Sequence, residues 1–162
     1  MKKFELTSET KINIFGKKLF RIKALISFAD VEAGETGGWV EKEGNVNQSG
    51  DAWVYGNAEV SGNAKVYGNA KVSGNAMVSG NAIVYGDAMV SGDADYTTIH
   101  GFGTQFRTTT FFRCKDKKVR VACGCFFGTI PEFREQVKNT RKGKIAEEYL
   151  MIADLMEKHF EK

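Results

Sequence analysis

The stretch "GNAKVYGNAKVSGNAMVSGNAIVYGDAMVSGDA", Gly62 to Ala94, repeats one six-residue phrase in which two positions vary freely. The phrase is Gly-Asn/Asp-Ala-x-Val-Ser/Tyr. It runs in register from Gly50 to Thr97, with a degenerate first copy, "GNVNQS", at Gly44 to Ser49. Valine recurs at Val54, Val60, Val66, Val72, Val78, Val84 and Val90, with alanine two residues before each. A spacing of two puts Ala and Val on the same face of a short strand and turns x and Ser/Tyr to the other. Gly followed by Asn or Asp supplies a corner, because these residues accept left-handed backbone angles at the lowest cost. Strand and corner alternating every six residues describe a solenoid. A six-residue side favours three sides to a coil, so each hexad should stack on the one 18 residues later.

This signature resembles the hexapeptide-repeat, left-handed β-helix proteins, whose hexads carry an aliphatic residue inward and a small one four positions on, as Val54 and Ala58 do. The resemblance implies a mainly β fold built on a short left-handed parallel β-helix of about three 18-residue coils over residues 44–97. A stack that short needs caps. Upstream, residues 1–43 read as an N-terminal strand cap, with "KLFRIKALISFADV" rich in strand formers and "EAGETGGWVEKEG" leading by turns into the first coil. Downstream, residues 98–162 read as a head made of a β-hairpin and two helices. The hairpin is "TTTFFRCKDKKVRVACGCFFG", turning near Lys115 to Lys118. The first helix opens at Thr129, with Glu132 completing a capping box and Pro131 in the first turn. The second spans Lys144 to Phe160, where Ile145, Tyr149, Ile152, Met156 and His159/Phe160 recur at helical steps.

Charge is unevenly placed. The net formal charge is only +3, yet residues 44–97 hold two basic against five acidic residues, whereas 107–144 hold eleven against three. An anionic partner therefore meets the C-terminal part. Its basic candidates are Arg113, Lys115, Lys117, Lys118, Arg120, Arg134, Lys138, Arg141 and Lys142, with Arg107 and Lys144 flanking them. Phe106, Phe111, Phe112, Phe126 and Phe127 are interleaved, a composition that suits nucleic acid, although strand alternation would send many of these rings inward. A solvated basic face is the alternative.

Catalytic and metal chemistry have little to work with. The γ-class carbonic anhydrases that share the coil signature need three histidines on zinc, and here only His100 and His159 occur, both outside the repeat. Hexapeptide acyltransferases use a histidine base, for which His100 in "TTIHGFGT" is the single candidate; otherwise it is a polar residue at a strand end. Cys123 and Cys125 fall on one strand face by the two-residue rule, with Cys114 across the hairpin, but no CxxC pair supports a metal site. The expectation is three free thiols, no cofactor and no metal. "MKKFELTSETKINIF" contains no apolar run of signal-peptide length, and no stretch reaches the roughly 18 apolar residues of a membrane span, so the reading is cytoplasmic, without a membrane partner.

Stacking every third hexad sorts the outward positions. One side carries Trp53/Tyr55, Lys71/Ser73 and Met89/Ser91; the second Glu59/Ser61, Met77/Ser79 and Asp95/Thr97; the third Lys65/Tyr67 and Ile83/Tyr85. Outward Tyr67, Ile83, Tyr85, Trp53, Met77 and Met89 are more apolar than a solvated face requires. They are the candidate contacts of a homo-oligomer, a trimer or dimer, with cover by the protein's own terminal helix as the alternative.

The segments "FRIKAL…GETGGWVEKEGN" and "TTTFFR…VACGCFFGTIPEFREQV" around the repeat are similar to a group of small hexapeptide-repeat proteins carried by bacteriophages and prophages. That resemblance implies a phage accessory protein in the host bacterial cytoplasm, one that binds a host protein or ribonucleoprotein and inhibits a defence system in the manner of anti-CRISPR proteins. Two further functions stay open: a small acyltransferase-like enzyme, and a nucleic-acid-binding protein using the basic head.

Overall fold

The valines of the seven regular hexads and the alanines before them are at most 1% exposed. The alternation thus does what its period dictates, closing a dry interior of small and branched side chains. In the computed structural model, which describes residues 1–161, the chain divides into two compact units, one spanning Met1–Asp93 and the other beginning at Ala94. The fold is mainly β. No helix of the described residues is long and apolar enough to cross a membrane.

The first unit opens with an antiparallel pair, β1 (Phe4–Ile12) and β2 (Lys18–Ala24), followed by β3 (Thr36–Val40). The repeat then supplies seven two-residue strands: β4 (Trp53–Val54), β5 (Glu59–Val60), β6 (Lys65–Val66), β7 (Lys71–Val72), β8 (Met77–Val78), β9 (Ile83–Val84) and β10 (Met89–Val90). They pair in parallel at an offset of 18 residues. Trp53 faces Lys71 and Lys71 faces Met89; Glu59 faces Met77, and Lys65 faces Ile83. Backbone amides run from each rung to the next, as from Trp53 N to the Ala70 carbonyl at 3.1 Å and from Lys71 N to the Ala88 carbonyl at 2.9 Å. The corners stack as well. At Gly62, φ is 63°, and an added Cβ would come within 3.1 Å of the Gly80 backbone, so both the backbone angle and the space require glycine.

The N-terminal cap joins this ladder directly: β1, β2, β3, β5 and β8 form one sheet in that order. β3 pairs in parallel with β5, Trp39 opposite Glu59, at an offset of twenty residues. The degenerate first hexad departs from the expected register. Val46 pairs with Val66, so it stands at a valine position of the repeat and not at the alanine position that a count from Gly44 assigns. Two additional residues before β4 absorb the difference. Within them, Gln48 ties the cap to the coil, its Oε1 accepting from Lys3 N at 2.7 Å and its Nε2 donating to the Phe4 carbonyl at 3.1 Å.

The other end of the repeat also departs from expectation. The last parallel strand is β10; residues Asp93–Asp95 form a short 3-10 turn, and Tyr96 and Thr97 pair antiparallel with Phe112 and Phe111. Asp95 and Thr97 therefore do not stack on the second side of the coil. In their place the Asp93 carboxylate accepts from Met77 N at 2.8 Å, capping that rung.

In the second unit, β11 (Tyr96–Phe102), β12 (Arg107–Arg113), β13 (Val119–Cys123) and β14 (Phe126–Thr129) make an antiparallel sheet in chain order. The expected hairpin, β12 with β13, is its centre, and β11 and β14 widen it. Two helices follow among the described residues, α1 (Ile130–Thr140) and α2 (Gly143–His159). Thr129 caps α1 by accepting from Glu132 N, while Glu132 Oε1 accepts from Thr129 N at 3.0 Å, and Pro131 sits in the first turn. A core of Phe111, Val121, Ile130, Phe133, Val137, Tyr149, Ile152, Ala153, Met156 and Phe160 binds helices to sheet.

Candidate functional site

The basic residues of the second unit divide into two groups. Arg113 pairs with Asp95 at 3.2 Å and also donates to the carbonyls of Lys117 and Phe160. Arg120 pairs with Asp116 at 2.7 Å, and Arg134 with Asp154 at 2.8 Å and with Glu157. These three arginines hold the unit's own surface together. Lys115, Lys117 and Lys118 are exposed in the turn between β12 and β13, and Lys138, Arg141 and Lys142 are exposed where α1 gives way to α2. None of these six is ion-paired with a carboxylate among the described residues, although Asp116, itself paired with Arg120, lies close enough to interact with Lys118. Six of the nine basic candidates thus make no ion pair of their own, at two places.

The interleaved aromatics do not form a stacking surface. Phe111 and Phe112 are fully buried, Phe126 and Phe127 are partly buried, and Phe106 alone of the five is well exposed. Phe111 lies edge-on to Phe133 in the helix-sheet core, and Phe112 stacks on Phe127 at 6.0 Å. Phe111 and Phe112 are consecutive on β12, as Phe126 and Phe127 are on β14, so alternation puts the two rings of each pair on opposite faces of the sheet.

Besides an open hollow of about 690 Å³ lined by Arg113, Lys117, Lys118, Thr129, Glu157 and Phe160 among others, a more enclosed cleft of about 120 Å³ is found in this unit. Three segments far apart in sequence line it: the β11–β12 connection at Phe102, Gly103, Thr104, Gln105 and Arg107; the β13–β14 turn; and the helices at Gln136, Thr140, Arg141 and Tyr149. Arg107 Nη2 donates to Gln105 Oε1 at 2.7 Å, and its Nη1 lies so close over Gly124 that a Cβ there would come to 2.6 Å. Gly124 has φ of 60°, so the turn needs glycine for its backbone angle, while the Arg107 tip could shift to make room. Likewise a Cβ on Gly103 would reach 2.4 Å from the Tyr149 hydroxyl. Tyr149 is 5% exposed. Burial, with Cys123 beside it, holds its hydroxyl above the usual phenol range, and the positive charges of Arg141 and Arg107 oppose that shift. Arg107, Tyr149, Gln105 and Gln136 were not among the candidate site residues. The available signal was the pair of glycine turns "HGFGTQFR" and "ACGCFF", which says that the chain approaches something closely without saying what.

The cysteines are arranged differently from the expectation. β13 ends at Cys123, and Gly124 and Cys125 form the turn, so the two thiols do not share a strand face. Cys123 is half-buried and its Sγ accepts from the Thr109 hydroxyl at 3.2 Å; Cys125 is exposed, Cys114 is buried, and none of the three is in a disulfide. Among the described residues no group of three or more His, Cys, Asp or Glu is placed to hold a metal. His100 lies exposed on β11, its Nδ1 in a 2.8 Å hydrogen bond with the Thr108 hydroxyl, and does not line the cleft.

In the first unit, Trp53 keeps the outward register of Lys71 and Met89, but its expected exposure is corrected: the indole is fully buried, edge-on to Phe4 and Phe28 of the cap. Tyr67 and Tyr85 stack on each other, 4.6 Å between centroids and 3° between planes. They are half-buried, as are Ile83 and Met77, while Met89 is 44% exposed.

A family model described as the YdcK beta solenoid repeat matches residues 70–86, a segment inside the parallel ladder. No curated protein matches the chain.

Proposed function

We propose that this is a non-enzymatic binding protein in which a left-handed β-helix of about three 18-residue coils is the rigid scaffold and the second unit is the contact head. The head engages an anionic surface of a host protein or ribonucleoprotein and acts by occupying it. The observation that supports this reading is the division of the basic residues: three arginines are neutralised internally, whereas Lys115, Lys117, Lys118, Lys138, Arg141 and Lys142 are exposed and make no ion pair of their own among the described residues. Burial of Phe111 and Phe112 weighs against reading bases by stacking, which leaves charge as the recognition chemistry. Self-association through the side that carries Tyr67, Ile83 and Tyr85, and a phage accessory role against a host defence system, belong to the same proposal; the latter rests on the resemblance of the flanking segments.

The test is a pull-down from bacterial lysate at low and moderate salt with the full chain and with Lys115, Lys117 and Lys118 all changed to Gln, analysing protein and RNA in the eluate. The reading expects a stoichiometric partner that weakens as salt rises and is lost with the triple variant. A partner retained equally by the variant and indifferent to salt would overturn it. Saturable acyl-CoA-dependent turnover lost in His100→Ala would move the function to acyl transfer.

A further inference from the structure

Arg107 opens β12 and Arg141 follows α1, yet both line the same cleft. Neither has a carboxylate partner among the described residues, in contrast to Arg113, Arg120 and Arg134 of the same unit. Two unneutralised guanidiniums facing one cleft repel each other, and an anion between them removes that cost. The surroundings suit an anion as well. Thr104 and Gln136 bring hydroxyl and amide donors, whereas the Thr140 hydroxyl donates to the Gln136 carbonyl, and the Tyr149 hydroxyl reaches the wall at Gly103. No carboxylate lines the cleft. Gln105 holds the Arg107 guanidinium, and the bare Cα of Gly124 gives it room to come close to the turn.

Size narrows the ligand. The cleft of about 120 Å³ is well short of the ~300 Å³ at which sites for whole drug-sized ligands begin. A charged head group fits and the remainder of its molecule stays outside. A phosphate monoester carries close to two negative charges near neutral pH, one for each guanidinium, and its oxygens accept the paired N–H groups of arginine in a fork geometry. A carboxylate supplies half that charge. We therefore propose that the cleft bounded by Arg107, Arg141 and Tyr149 is a binding site for the phosphate of a phosphomonoester. This goes beyond the macromolecular reading, because Arg107 opens β12 whereas the lysine turn follows the other end of that strand, and the site can be filled whether or not the lysines meet a partner.

Calorimetric titration of the full chain at fixed ionic strength tests it, with inorganic phosphate, phenyl phosphate and benzoate as probes. Phosphate and phenyl phosphate should bind saturably at one site, and benzoate at least tenfold more weakly. Arg107→Met and Arg141→Met should each weaken phosphate binding at least tenfold, and Lys117→Gln less than twofold. Both arginines are exposed, so the variants should melt like the parent. A short oligonucleotide with and without a 5′-phosphate separates two sources of the same chemistry: a gain from the phosphate assigns the site to nucleic-acid ends, and no gain assigns it to small esters. No saturable phosphate binding, binding undiminished in both arginine variants, or an equal loss in Lys117→Gln would overturn the site. The lysate experiment with the triple lysine variant fails or succeeds separately.

Discussion

Phe28 meets Trp53 edge-on, 5.2 Å between ring centroids and 73° between planes. The indole it covers occupies the same register position as Lys71 and Met89 on the next two rungs, which are half-buried and exposed respectively. One position of the hexad therefore meets two environments, and the cap covers only the first. Trp53→Ala should lower stability by about 3–5 kcal/mol, the usual cost of emptying a buried aromatic site. Met89→Ala should stay within about 0.5 kcal/mol, as surface changes do. Urea denaturation followed by far-UV circular dichroism compares them, and equal effects would show that the cap does not seal the first rung.

A second contrast separates two asparagines, Asn45 in the short turn that enters the first coil and Asn63 at a corner of the regular repeat. Asn45 is fully buried, its Nδ2 donating to the Gly62 and Ala64 carbonyls at 3.1 and 2.9 Å while Oδ1 accepts from Lys42 N at 2.8 Å. Asn63 is exposed. Asn45→Ala strands buried polar groups, each worth about 1–3 kcal/mol, whereas Asn63→Ala should cost a few tenths. Thermal melts of the two variants decide it; matching melting temperatures would mean that water replaces the Asn45 side chain freely.

What was legible in the sequence is what depends on short range. The Ala-x-Val pattern set the buried face and the 18-residue offset, since every residue of a regular rung finds its partner at a constant spacing. Thr129 and Glu132 were readable as a cap because a capping box closes within four residues. The burial of Trp53 at its outward position was not legible because Phe4 and Phe28, remote in sequence, cover it. Val46 was misassigned because the two residues inserted after it shift its partner to Val66. The cleft around Tyr149 stayed invisible for the same reason: it is made where three separated segments converge, and only its glycines mark it locally.

The buried amine of Lys3 gives a pH signature. Lys3 is 1% exposed, and its Nζ donates to the Gly50 and Ala52 carbonyls at 3.2 and 2.7 Å. Burial pushes its pKa down to about 8, against a partial opposing pull from Asp51. Between pH 8 and 10.5 the unfolded chain keeps this proton while the folded chain releases it, so the unfolded state binds more protons and stability rises with pH. The neutral amine still has two N–H groups for its two carbonyls. The stability difference between the parent and Lys3→Met should therefore be flat below pH 8 and shift in the parent's favour above it, other titrations cancelling. Chemical denaturation at pH 7, 8, 9 and 10 reads the slope, and a flat difference throughout would show that Lys3 is solvated.

Thiol reactivity follows from the turn that parts Cys123 from Cys125. Attack on a thiol reagent needs a thiolate that the reagent can reach. Cys125 is exposed in the turn, Cys123 is half-buried beneath the Thr109 hydroxyl, and Cys114 is 4% exposed. Iodoacetamide on the native protein should label Cys125 first, Cys123 more slowly, and Cys114 only after denaturation, as peptide mass mapping over time would record. Because Cys123 and Cys125 line the same cleft as Arg107 and Arg141, saturating phosphate should slow labelling at these two positions and leave the rate at Cys114 unchanged. Native labelling of Cys114 as fast as Cys125 would contradict the packing of β12 against its neighbours. Labelling at Cys123 and Cys125 indifferent to phosphate would place the anion somewhere other than the cleft.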